Sequence, residues 1–240
     1  MTLVCGIDVG SFRTPSFVAW LEDGSFELDA YAPSLEQPLP PGRTPAAYAL
    51  DAPQGLPAPG RSRRVADRKA NTPTRILPRT REEVADMTAF APFVEAGLGM
   101  FWEAQRGGLA AVPGCRGSGP ALLETYPRLV IRRLWPELAR IPSKRKEPRR
   151  YVEELWLRLQ QLGLEGPAPG RHDHVDALLC AVAGRSWLDG RAVEVGEAPE
   201  PDQRGRVFRE GFIVAPRSPA PPAADALTRV PVSPDALRDG

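Results

Sequence analysis

The sequence predicts an α/β fold, a mixed sheet flanked by helices, and three observations predict it. Residues 3–9 (LVCGIDV) form a short apolar run carrying Asp8 and closed by Gly10, which is the pattern of a buried strand. Two β-rich runs, 16–21 (SFVAWL) and 25–31 (SFELDAY), flank Glu22-Asp23-Gly24, and an Asp-Gly step between such runs marks a hairpin. Residues 173–188 place Val175, Leu178, Leu179, Val182 and Ala183 in one apolar stripe at helical spacing.

The remaining elements follow in order. Residues 46–51 (AAYALD) make a fourth strand, stopped by Ala52-Pro53. The first fifty residues therefore read as a three-stranded antiparallel meander and a crossing to another strand. Residues 52–80 are rich in Pro, Gly and Arg and read as loop, with a short helix near 63–70. Residues 81–106 are helical in pieces: Glu82, Glu83 and Asp86 suit a first turn, where the helix dipole favours acids, and Pro92 and Gly97 break the pattern. A Gly-rich loop covers 107–119, and 120–125 (PALLET) is a fifth strand stopped by Tyr126-Pro127. Helices follow at 127–135 and 147–162, split by Pro142 and Pro148. Asp173 is a good N-cap for the helix after it, and short strands follow at 191–195 and 211–215. The expected organisation is one domain over 1–216, with 80–119 as a helical insertion. A Pro/Ala-rich tail over 217–240 buries too little to order itself.

Composition narrows the function classes. No run of about 18 apolar residues exists, so a membrane span is not expected. No basic region precedes Asp8, which argues against a secretory signal. Cys5, Cys115 and Cys180 are widely separated and form no C-x-x-C pair, so a reduced, cytoplasmic protein without a zinc or redox site is expected. The net charge is +1, yet basic residues cluster. Residues 61–81 hold eight (Arg61, Arg63, Arg64, Arg68, Lys69, Arg75, Arg79, Arg81) against Asp67, and 140–150 hold six against Glu147. Such runs suit phosphates; a solvated surface in an arginine-biased chain is the plainer explanation.

Acids stand at the ends of regular elements: Asp8 on the first strand, Asp51 on the fourth, Glu124 on the fifth, and Asp173 and Asp176 in the first turn of the last helix. In an α/β sheet these ends meet on one edge, where ligands bind. Carboxylates gathered there repel one another unless a cation lies between them, and oxygen-only ligation suits Mg²⁺ or Mn²⁺. Paired ions of this kind cleave phosphodiesters by activating water and stabilising the leaving oxygen. Each acid also has a plainer role. Asp8 would cap a turn, Asp51 would satisfy loop amides, Glu124 would pair with an arginine such as Arg128, and Asp173 would cap the helix, leaving Asp176 the better ligand. His172 and His174 could shuttle protons or bind a metal; surface residues of the helix entry are the plainer reading.

The blocks GIDVGS (6–11), ALDAPQGLP (49–57), RRVADR (63–68), LLETYP (122–127), DHVDALLCAVAG (173–184) and REGFIVAP (209–216) occur in an order that resembles a family of predicted RNase H-like nucleases catalogued as a domain of unknown function (number four-two-nine). The resemblance spans about residues 2–216. It implies an RNase H-like mixed five-stranded sheet, the first three strands antiparallel, flanked by helices. By analogy with RuvC-type resolvases it implies Asp8 as the first-strand acid, Glu124 or Asp51 as the acid on a later strand, and Asp173 and Asp176 on the last helix. The expected activity is metal-dependent hydrolysis of DNA or RNA. Its catalytic acids are Asp8, Asp51, Glu124 and Asp176, its metal ligands Asp8, Glu124, Asp173 and Asp176, and its phosphate contacts Arg13, Arg63, Arg64, Arg68 and Lys144.

Two other classes compete. An ATP-binding protein of the actin-like and sugar kinase superfamily would use Asp8-Val9-Gly10-Ser11 to hold phosphates through backbone amides. It would need a second Asp-x-Gly loop, and Asp189-Gly190 and Asp239-Gly240 do not fit one. A catalytically silent binding module would keep the fold alone. A homodimer is an open option, since junction-type enzymes are often two-fold, although no periodic interface pattern marks one.

Overall fold

The computed structural model describes residues 2–73, 77–87, 89–138 and 140–218. The described residues form eight strands, a short 3-10 helix at Glu82–Asp86 and five α-helices. The strands are β1 (Leu3–Asp8), β2 (Ser16–Glu22), β3 (Ser25–Tyr31), β4 (Ala47–Asp51), β5 (Gly55–Leu56), β6 (Ala121–Thr125), β7 (Ala192–Asp202) and β8 (Val207–Pro216). The helices are α1 (Val65–Ala70), α2 (Ala91–Arg106), α3 (Pro127–Leu134), α4 (Pro148–Gln161) and α5 (His172–Leu188).

All eight strands join one mixed sheet in the order β3-β2-β1-β4-β6-β8-β5, with β7 on β8. The predicted antiparallel meander β1-β2-β3 is present, and β1, β4, β6 and β8 run parallel. The sheet has eight strands where five were expected. Five was the count the resemblance implied; the strands beyond it are the two-residue β5 and the hairpin of β7 and β8, which were expected only as short strands at 191–195 and 211–215. Pro199 and Pro201 obscure the second half of β7 in the sequence; it tolerates them because it lies at an edge and pairs with β8.

Alternation sends successive strand residues to opposite faces. Val4, Ala19 and Leu21 enter a core with α1, α3, α4 and α5, whereas Cys5, Ile7, Trp20 and Leu50 enter a second core against α2. The 80–119 segment thus covers the sheet: Met100 and Phe101 of α2 are fully buried, each contributing roughly 1.5–3 kcal/mol of transfer free energy. Gly97 does not break α2 as expected. A Cβ there would lie 2.8 Å from the Ala52 methyl, so glycine lets the helix close on the segment after β4. Asp173 is not the N-cap of α5. Arg171 occupies that position, and Asp173 sits inside the first turn with its carboxylate 2.9 Å from the Arg171 Nε. No helix among the described residues is long and apolar enough to cross a membrane. Arg75 and residues 219–240, which include Asp239-Gly240 and nearly all of the expected tail, lie outside the described residues.

Candidate active site

Parallel register brings the acids together. Asp8 and Asp51 are partners across β1 and β4, and Leu50 is the partner of Glu124 across β4 and β6. Asp8 and Asp51 therefore end adjacent strands at the same level. The α5 helix supplies the next acid because it lies directly on β1: a Cβ on Gly6 would sit 2.1 Å from the Ala177 carbonyl oxygen and 2.3 Å from the Ala181 nitrogen. Only glycine permits that approach. It sets Asp176 beside Asp8, at the floor of a cavity of about 810 Å³ that Asp8, Asp51, Glu124, Asp173 and Asp176 all line.

The electrostatics follow from this crowding. Burial pushes the Asp8 carboxyl well up from its ordinary value, and the charges of Asp176 and Asp51 push it further. Asp51 is pushed up to about 7, by burial first; Lys144 pulls it down, and Asp176 and Glu124 push it up. The counter-charge is internal. The Lys144 ammonium donates to Asp176 Oδ2, and the Tyr151 hydroxyl donates to Asp176 Oδ1 at 2.5 Å. Burial opposes the charge on Lys144, but Asp176, Asp51 and Asp8 outweigh it and hold the ammonium above the ordinary lysine range. Among the described residues no three His, Cys, Asp or Glu side chains are grouped so as to hold a metal ion as they stand; both Asp176 oxygens are engaged by Lys144 and Tyr151.

Glu124 has a different fate. Both of its oxygens accept from Arg64 at 2.6 Å, and Oε2 also accepts from the Gln54 amide at 2.8 Å. Arg64 turns its remaining donors to Asp67, at 2.7 Å from Nε and 3.0 Å from Nη2. Its side chain is 0% exposed, so Arg64 is not available to a phosphate, contrary to expectation. The reason is local: Arg64 precedes α1 and points inward to the two acids that flank it. The partner of Glu124 is this residue and not Arg128. Of the two middle acids left open by the sequence, Asp51 faces the cavity without such a clamp.

The other expected contacts divide. Arg13 lines the cavity and is exposed; Arg63 and Arg68 are exposed in a separate cleft with Arg61 and Glu197. Lys144 lines the cavity but is spent on Asp176, a role missed in the sequence reading. His174 packs edge-on against Phe17 with ring centroids 5.3 Å apart, and burial, followed by Arg171, lowers its pKa. His172 Nδ1 lies 3.0 Å from Asp173 Oδ1. Asp189 closes the C-terminus of α5, so Asp189-Gly190 ends a helix and does not form a phosphate loop.

These features define a class, α/β proteins whose parallel strands deliver acids to one cavity under the N-terminus of a helix. Within it, the chain belongs to the family described as Protein of unknown function (DUF429), whose model matches residues 6–201. The REGFIVAP stretch of β8 falls beyond that match. No curated protein and no solved structure matches the chain.

Proposed function

We propose that the chain is an RNase H-like phosphodiesterase that hydrolyses DNA or RNA with a divalent cation, Mg²⁺ or Mn²⁺, held by Asp8, Asp51 and Asp176. One observation carries the reading: three aspartates from β1, β4 and α5 converge on one cavity, and burial and mutual repulsion push two of them toward their protonated forms. Such a cluster favours a cation, and hard carboxylate oxygens favour these two metals. An antiparallel meander followed by parallel strands, with a helix laid across β1, supports the RNase H-like description.

When bound, the cation would supply a Lewis acid for a phosphoryl oxygen and a water of lowered pKa. The chain's own residues do the rest. Asp173 and Asp176 enter from the same helical turn, so Asp173 offers a further oxygen at the cavity wall. Glu124, clamped by Arg64, fixes the segment after Asp51 through the Gln54 amide and so positions the β4 end. Arg13 at the cavity, and Arg63 and Arg68 in their cleft, offer cations to phosphates.

The test is incubation with Mg²⁺ and then Mn²⁺ against labelled single-stranded, duplex, hybrid and branched DNA and RNA. Asp8→Asn protein is the control for contaminating nuclease. Metal-dependent cleavage that vanishes in the variant is expected. A folded protein that cleaves nothing and binds no Mn²⁺ overturns the reading.

A further inference from the structure

The protein pairs two cations with its site acids in contrasting ways. Arg64 grips Glu124 through two parallel hydrogen bonds, holds Asp67 with its remaining donors, and is 0% exposed. Lys144 makes one hydrogen bond, to one oxygen of Asp176, stands 5.6 Å from the centre of the Tyr151 ring, and its side chain is 32% exposed. A bidentate guanidinium fork is fixed in geometry, whereas an ammonium on a flexible stem is a point charge that exchanges partners readily. The choice of residue stands out in this chain: only Lys69, Lys144 and Lys146 are lysines among 31 basic residues. Lys144 also sits at a turn between α3 and α4, where the Glu147 amide donates to the Ser143 carbonyl at 2.7 Å. Ser143, Lys144 and Arg145 of this turn all line the cavity, so the ammonium can leave Asp176 and remain inside it. The Tyr151 hydroxyl keeps the other Asp176 oxygen, so the carboxylate stays aimed when Lys144 moves.

We propose that Lys144 is an exchangeable internal cation: it competes with the divalent ion for Asp176 Oδ2 and, once displaced, turns its ammonium to a substrate phosphate in the same cavity. This inference rests on the metal-dependent reading of the site. It makes Lys144 a positioning residue that balances the acids before the ion arrives, and it explains why Asp176 is engaged by an ammonium while Asp8 and Asp51 face the cavity.

Competition has a readout independent of turnover, because coupling between two ligands of one site is reciprocal. Mn²⁺ affinity is measured by electron paramagnetic resonance on the full chain, on Lys144→Met, and on Arg145→Met, which removes the same charge from the next position of the same turn. Lys144→Met is expected to bind Mn²⁺ about tenfold tighter, and Arg145→Met to change it by less than about threefold. In parallel, the lysine ammonium signals of the unaltered protein are followed by ¹H–¹⁵N spectroscopy during Mg²⁺ addition. With three lysines the assignment is direct; the Lys144 signal is expected to move, and those of Lys69 and Lys146 to stay. Equal Mn²⁺ affinity in Lys144→Met and the unaltered protein overturns the exchange and leaves metal binding intact. No Mn²⁺ binding by either overturns the metal reading and the exchange together. If Lys144→Met does not fold, an unmoved Lys144 signal at saturating Mg²⁺ overturns the proposal by itself.

Discussion

Asp8 and Asp51 are register partners at the ends of two adjacent parallel strands. Pleating sends both side chains to the same side at the same level in a buried site, where burial first, and then neighbouring carboxylates (Asp176 and Asp51 for Asp8, Asp176 and Glu124 for Asp51), push both carboxyls up. The cost of this juxtaposition depends on pH, which makes it measurable.

Asp51 has a folded pKa of about 7 against roughly 3.9 when unfolded. Between those values the folded chain holds a proton that the unfolded chain does not. Stability from this group therefore falls as pH rises from about 4 to 7 and is level above. Asp51→Asn removes that loss. In EDTA its advantage over the unaltered protein should grow with pH and reach on the order of 1–3 kcal/mol at pH 8. Urea unfolding across this range checks it, and a pH-independent difference refutes it.

Arg64→Met should destabilise the fold by about 3–5 kcal/mol, because Glu124 and Asp67 would stay buried with their charge uncompensated. Adding Glu124→Gln to the same chain should recover part of the loss. Additive effects in this double-mutant cycle would mean that the fork carries no coupling.

Gly6→Ala should cost about 3 kcal/mol or more, since the new methyl meets backbone of α5 that has no rotamer to yield. It should also weaken Mn²⁺ binding by lifting Asp176 away from Asp8. A folded Gly6→Ala protein with unchanged Mn²⁺ affinity would detach the metal reading from the helix placement.

Arg63→Glu with Arg68→Glu should weaken binding to duplex DNA and reduce the slope of log affinity against log salt by about 2. Arg64 has no place in that experiment, because it is buried. An unchanged slope removes the Arg63–Arg68 cleft from the nucleic-acid interface.

Much of the scaffold was legible in the sequence because it rests on local patterns. The β1 run, the Asp23-Gly24 hairpin and the α5 stripe each carry a period or a turn signal, and each element forms where it was expected. The convergence of Asp8, Asp51 and Asp176 was legible too, because strand ends and helix starts meet on one edge of a parallel sheet. What stayed hidden depends on contacts distant in sequence. Arg64 reads as one more member of a basic run until Glu124, sixty residues on, turns it inward. Lys144 reads as a phosphate contact within a basic run; its pairing with Asp176, thirty-two residues on, is what stays hidden. The β5 strand is two residues long and exists only because Gly55 and Leu56 lie beside Phe208 and Arg209.

The β8 strand bonds to β5, β6 and β7, and its Glu210 accepts from the amides of Ala58 and Val65 on either side of the Arg64 segment. It is also the last strand in chain order among the described residues. During synthesis, then, β6 waits as an open edge, and the loop that carries Arg64 lacks its Glu210 contacts until residues 207–216 emerge. The acids of β1, β4 and β6 are made early, but the Glu210 bonds that brace the segment around Arg64, and through it Glu124, are added late. A nascent chain carries most of the chemistry of this cavity before it carries the means to hold it still.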